Sequence, residues 1–232
     1  LSFSIALTAD QVVEAGRLVY RSYTDAKLIG PFACELHTAP SFVNPNAVVV
    51  RGTIGPVVAS TLSTVVDGPD GLPLDRVYKS ELDGLRKQGC KLMEIGLFAD
   101  RRQELARTSE ALIELMRYVF YYGRYHDVTD YVIGVHPRHA RYYSRFFLFH
   151  TYGDLKTYPA VRDRPVVLLR GDYAGKWDEF HHEYPALEYF QETPVPMELF
   201  DQRFGFAAND SAGTDIESFL DHYRAKQREN AA

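Results

Sequence analysis

Cysteine is scarce: 232 residues contain two, Cys34 and Cys90, too few for a disulfide framework. Cys34-Glu35-Leu36-His37 has the C-x-x-H spacing of a ligand pair, but structural zinc takes four ligands and the other two are not in sight. No metal is expected. Long apolar runs are also missing. The longest apolar helical stretch, 111–123, is interrupted by Glu114 and Arg117, so no membrane span is expected. The amino end has no signal-peptide pattern, which makes the cytoplasm the expected location. Positive charge is in deficit, with 26 Lys and Arg against 31 Asp and Glu and a net charge of −5. A phosphate-rich partner needs a basic surface. That balance excludes general binding to nucleic acid or anionic membrane and leaves room for a local basic patch.

Aromatic residues are plentiful. Sixteen Tyr, 14 Phe and one Trp make 13% of the chain, and Tyr dominates. Tyr joins apolar area to a polar tip, which suits a core and also an amphipathic pocket.

Along the chain, a short strand over 3–7 runs into Thr8-Ala9-Asp10-Gln11, a capping box that opens a helix over 9–25. Two β-branched runs, 47–53 and 57–66, are split by Gly55-Pro56 and read as a hairpin. A short helix over 80–87 leads to a strand over 91–98. Strict alternation there puts Met93, Ile95 and Leu97 on one face, with Leu92, Glu94, Gly96 and Phe98 on the other. A helix over 110–122 follows, with Gly123 as its C′ residue. Then come a strand over 131–135, a helix over 137–147 and a strand over 165–170. This order predicts a mixed α/β sheet flanked by helices over 1–172. From 173 the composition turns to short broken segments ending in a helix over 215–228. Residues 173–232 therefore read as a carboxy-terminal extension packed on the domain.

Three stretches carry chemistry. Glu94 is a carboxylate in the middle of an apolar strand, costly to bury unless paired or protonated. Burial would raise its pKa into the range of a general base, and pairing with an arginine would make it structural. Between Asp130 and Asp154 there is no carboxylate, while Arg138, Arg141 and Arg145 recur at helical spacing, a local positive stripe suited to a phosphate or an acidic partner. Tyr143 falls on another face of the same helix. Finally, Asp100 to Ser109 joins a strand to a helix N-terminus, a place that favours anions, and contains Arg101, Arg102 and Arg107 without a single Gly. A loop wrapping a pyrophosphate closely needs Gly.

The element order resembles the Gcn5-related N-acyltransferase fold. The stretches Arg17-Leu18-Val19-Tyr20-Arg21-Ser22-Tyr23, Gly71-Leu72-Pro73-Leu74-Asp75, Glu81-Leu82, Leu85-Arg86, Met93-Glu94-Ile95-Gly96 and Pro137-Arg138-His139 with Tyr142-Tyr143 resemble the long-chain N-acyl amino acid synthases. These are relatives of the acyl-homoserine lactone synthases. The resemblance implies transfer of an acyl chain from the phosphopantetheine thioester of an acyl carrier protein to the α-amino group of an amino acid, with no permanently bound cofactor. It casts Glu94 as the acid that receives the amine's proton, Tyr143 as a donor to the departing thiolate, and Arg21 as a residue on the acceptor or acyl side. Arg101, Arg102, Arg107, Arg138, Arg141 and Arg145 would then hold the phosphopantetheine or the carrier protein. Tyr20, Tyr23, Phe98 and Tyr142 would line the acyl and acceptor pocket. The lipid product implies at most peripheral membrane contact.

The chain departs from the family pattern in four places. The family has a polar residue or Arg near Gly96, a Gly near Leu148, an Asn at His136, and Gly in the loop that here holds Arg102 to Arg107. The missing glycines favour a carrier protein's single phosphodiester over coenzyme A's diphosphate. An acyl-CoA-dependent or acyl-homoserine lactone synthase-like transferase, and an inactive acyl- or carrier-binding relative, are the alternatives.

Overall fold

The computed structural model describes residues 1–31, 35–37, 44, 46–101, 105, 108–173 and 184–202. In chain order the elements are β1 (Ser2–Ile5), α1 (Ala9–Asp25), β2 (Ala47–Ile54), β3 (Val57–Val66), α2 (Asp75–Lys87), β4 (Leu92–Asp100), α3 (Thr108–Tyr125), β5 (Asp130–Val135), α4 (Pro137–Phe147), β6 (His150–Thr151), β7 (Lys156–Tyr158), β8 (Arg164–Asp172) and α5 (Pro185–Glu192). Short 3₁₀ helices cover Pro159–Val161 and Met197–Gln202. The strands form one mixed sheet in the order β1-β2-β3-β4-β5-β8-β6, with β7 on the same edge of β8 as β6. Among the described strands only β4 and β5 run parallel.

Alternating side chains separate two helical layers. Val49, Val58 and Ala99 meet Val12, Ala15, Leu18 and Val19 of α1, while Val65, Leu92 and Val132 meet Tyr78, Leu82 and Leu85 of α2. Val50, Met93 and Ile133 point the other way, into the largest cluster, with Leu115, Met116 and Val119 of α3, Phe147 of α4 and Phe190 of α5. Phe190 and Phe200 are fully buried there, so the described part of the carboxy-terminal segment belongs to the main core.

Several local expectations hold, with adjustments. The Thr8 hydroxyl accepts from the Gln11 N–H at 3.3 Å, but the Gln11 amide oxygen accepts from Leu7 at 2.7 Å, one residue outside the usual box. Helix α2 starts at Asp75 rather than residue 80, through a first turn kinked at Tyr78. Gly123 is not the C′ residue of α3, because the helix continues to Tyr125. Its missing side chain answers a packing demand: the Tyr131 ring, whose hydroxyl donates to Phe120 O at 3.0 Å, lies where a Cβ would sit. Strands β6 and β7 are too short to show a period and were not expected. The helix expected over 215–228 lies outside the described residues.

Strict alternation fails in β4. Thr61 of β3 faces Ala99 and Ser63 faces Gly96, so the single residue Leu62 opposes both Leu97 and Phe98. Leu97 takes φ 54°, a left-handed value. This bulge turns Leu97 towards α1 and Phe98 towards the α3–α4 cluster, the reverse of the expected faces.

Candidate active site

The parallel β4–β5 ladder pairs Leu92 through Ile95 with Asp130 through Ile133 and ends there. Beyond it β4 bulges and β5 leads into α4 through His136, whose imidazole accepts from the Arg138 N–H. The strands part at their carboxyl ends, where open α/β sheets place their ligands, and backbone N–H groups lining such a gap can polarise a carbonyl.

Glu94 lies in the last paired stretch before the gap. It is 7% exposed, and its Oε2 accepts from the Leu74 N–H at 2.7 Å. Among the described residues no arginine takes the role of partner; the carboxylate faces the first turn of α2 instead. Burial pushes its pKa up to about 8, against the lowering effect of the Leu74 N–H, and the nearby carboxylates of Asp75 and Asp67 push the same way.

The Leu74 N–H is held in place by a charged clamp. Arg86 donates to both oxygens of Asp75 at 2.7 Å, to Asp67 at 2.6 and 3.1 Å, and to Asp83 at 2.8 Å. Asp75 also accepts from the Leu72 N–H at 2.7 Å. Burial alone raises the Asp75 pKa, but the hydrogen bonds from Arg86 and Leu72 outweigh it and hold the carboxyl below its usual range. Hydrogen bonds to Asp75 and Asp67 raise the Arg86 pKa. Gly71 completes the loop at φ +71°, where a Cβ would stand 2.5 Å from an Asp75 oxygen. The stretch Gly71 to Asp75 and the distant Arg86, quoted separately from the sequence, are one device.

A series of tyrosines leads away from Glu94. Burial, then the charge of Glu94, pushes Tyr158 up to about 12. Tyr23 is raised by burial and by Tyr158. Tyr143 is raised by burial, then by Tyr142 and Tyr23. Tyr23 packs on the α1 face and Tyr143 on the α3–α4 face, yet the two lie within electrostatic reach of each other. Tyr143 is buried, and Tyr142 and Phe98 pack partly buried in the same cluster. Tyr20 is buried in α1. His37, its pKa lowered by burial, has its ring centroid 5.5 Å from that of Tyr23.

The arginines separate into two groups. Arg21 is exposed and, with Arg17 and Arg101, lines an open groove of about 220 Å³ whose walls include Pro56 and Val57; Glu94 is not among its described walls. Arg101 is anchored there by donating to Val58 O at 2.9 Å. Arg138, Arg141 and Arg145 are exposed on α4. Arg102 and Arg107, like Cys34, lie outside the described residues. Among the described residues no group of His, Cys, Asp and Glu could hold a metal ion, and no helix is long and apolar enough to cross a membrane.

The sequence reading missed Tyr158 and His37. Tyr158 sits in a strand of three residues with no period, and His37 stands out in the sequence only by its spacing from Cys34.

Leu148 ends α4 in the left-handed conformation at φ 56° while its side chain packs on the core.

The mixed sheet flanked by helices, with β4 and β5 parted at their carboxyl ends, has the arrangement of the Gcn5-related N-acyltransferase fold. Residues 14–172 match the family model of the N-acyl amino acid synthase FeeM, and the chain belongs to that family. Solved structures agree on the fold. FeeM, an N-acyl amino acid synthase from uncultured soil microbes, superposes with a TM-score of 0.69 at 23% identity, covering 81% of this chain and 96% of its own. The acyl-homoserine lactone synthase LasI gives 0.56 at 15%, covering 74% and 89%. BjaI, a CoA-dependent acyl-homoserine lactone synthase solved with SAM and isopentyl-CoA, gives 0.55 at 12%, covering 93% and 92%. No curated protein sequence matches the chain.

Proposed function

We propose that this enzyme transfers a long-chain acyl group from an acyl carrier protein thioester to the α-amino group of an amino acid. The observation that carries the reading is Glu94, a buried carboxyl with its pKa near 8, held by the Leu74 N–H at the mouth of the parted strands. An ammonium has no lone pair with which to attack a thioester. Glu94 takes one proton from the ammonium and releases it to solvent, and the amine nitrogen bonds to the carbonyl carbon. Glu94 then takes the second proton from the now cationic nitrogen, the C–S bond breaks, and that second proton passes from Glu94 to the departing thiolate. A base near pH 8 is matched to both partners, since free thiols titrate near 8.5 and about one Glu94 in ten is ionised at pH 7.

Tyr143 serves this scheme as a hydrogen-bond donor to the thiolate sulfur. Its raised pKa keeps the proton on the phenol, so it steadies charge without surrendering it. Phe98, Tyr142, Tyr20 and Tyr23 supply apolar wall for the acyl chain, each CH₂ of which contributes about 0.8 kcal/mol when buried. The groove of Arg17, Arg21 and Arg101 supplies cations for the donor's phosphodiester, and Arg138, Arg141 and Arg145 a further positive face for an acidic carrier protein. In this reading Arg21 acts on the donor side.

The test is incubation of the protein with long-chain acyl carrier protein, or the matching acyl-CoA, and pooled amino acids, followed by mass spectrometry. An N-acyl amino acid formed from the carrier thioester at a kcat/KM at least tenfold above that from acyl-CoA is expected. Faster transfer from acyl-CoA overturns the donor, and binding of acyl carrier protein without product overturns the activity.

A further inference from the structure

Strand β3 buries four hydroxyl residues, Ser60, Thr61, Ser63 and Thr64. Thr61 donates to Val50 O at 2.9 Å and Thr64 to Glu94 O at 2.6 Å. Ser63 is 1% exposed, and its Oγ has no hydrogen-bond partner among the described residues. A buried hydroxyl left unpaired is a net cost that alanine or valine would avoid in a strand otherwise built from β-branched residues.

The register shows what the hydroxyl faces. Val65 pairs with Glu94 and Ser63 with Gly96. Val65 packs with Leu74 and Leu92 against α2, so Ser63, two residues back, lies on the same face as Glu94. Ser63 and Glu94 are therefore diagonal neighbours across β3 and β4, roughly 5–8 Å apart at Cβ. Gly96 stands between them, and a Cβ there would meet one atom within 4 Å, Glu94 Oε1 at 3.9 Å. Among the described residues, the place a Gly96 side chain would take is thus bordered closely only by the Glu94 carboxyl.

We infer that Ser63 is a binding residue of the acceptor subsite and that its Oγ accepts a hydrogen bond from the amino group of the substrate. This rests on the reading of an amine acceptor given above. An ammonium carries three N–H groups beyond its carbon. One is lost to Glu94, a second is held by Ser63, and two fixed points leave the lone pair aimed across the gap at the thioester carbon. The partner missing from the free protein is supplied by the substrate.

Ser63→Ala tests this in steady-state kinetics with varied amino acid at saturating acyl donor. The expected result is a loss of about tenfold in kcat/KM for the acceptor. The KM for the donor should stay unchanged and the melting temperature unchanged or raised, because an unpaired hydroxyl has been removed. Ser63→Thr, which keeps the hydroxyl, should recover part of the loss. Wild-type kinetics in Ser63→Ala would overturn the assignment alone. Parallel loss of melting temperature and activity would also overturn it, by making the hydroxyl structural. A wild-type protein that acylates no amine would overturn the amine-acceptor reading and this inference together.

Discussion

Replacing Glu94 with Gln separates the energetic consequence of burying this acid from its chemistry. Gln has nearly the same shape, and its carbonyl oxygen can accept from the Leu74 N–H as Glu94 Oε2 does at 2.7 Å. The difference lies in titration. In the unfolded chain the glutamate ionises near 4.5, whereas in the fold it holds its proton to about 8. Between those values the folded protein binds more protons than the unfolded one, so wild-type stability falls as pH rises and levels off above 8. Over pH 5 to 9 the loss through this one group is on the order of 4 kcal/mol. For a protein of this size that corresponds to roughly 10 °C in melting temperature. Urea unfolding of both proteins at pH 5, 7 and 9 isolates the effect, because every other titrating group is shared and cancels in the difference. Glu94→Gln should gain on the wild type from pH 5 to about 8 and then hold that gain to pH 9, while its turnover falls by about 10²–10⁴-fold. A stability difference that does not change with pH would refute the raised pKa and, with it, the match between Glu94 and the thiol.

Arg86→Met strands three carboxylates around a partly exposed site. It should lower unfolding free energy by about 2 kcal/mol in urea titration, with Arg86→Lys recovering only part because it cannot bond both Asp75 oxygens. Gly123→Ala places a methyl group against the Tyr131 ring and should cost about 1–3 kcal/mol, read as a lower melting temperature. Combined Arg21→Ala and Arg101→Ala should raise the KM for acyl carrier protein about tenfold, leave the KM for the amino acid unchanged, and flatten the salt dependence of the reaction.

Much of the fold was legible because the segments that carry it are long and periodic. Helix α1 has its expected limits because Thr8 caps it and a regular apolar face runs behind, and α4 has its own because Pro137 starts it. Glu94 was legible as a site because a carboxylate among Met93, Ile95 and Leu92 has a cost that demands a reason. What escaped was long-range or irregular. Nothing in the local pattern of β4 announces that Leu97 adopts a positive φ. Gly123 reads as a helix end until Tyr131, eight residues away, is seen packed on it. Tyr158 joins the site only because β7 folds back along β8, and β7 has three residues. The Arg86 clamp could have been guessed from three aspartates within reach of one arginine, but its purpose appears only when Leu74 meets Glu94.

The bulge in β4 has a consequence for how this strand can change. Up to Gly96 the chain is read in one frame, with Glu94 on the α2 side; from Leu97 it is read in the other, and the direction in which the strand delivers Arg101 depends on that shift. The two halves of β4 are thus separated by a count of residues rather than by the nature of any one of them. Substituting Leu97 or Phe98 leaves the count intact. Deleting one residue there would restore strict alternation and reverse every orientation downstream of it, so insertions and deletions, not replacements, are the changes to which this strand is most sensitive.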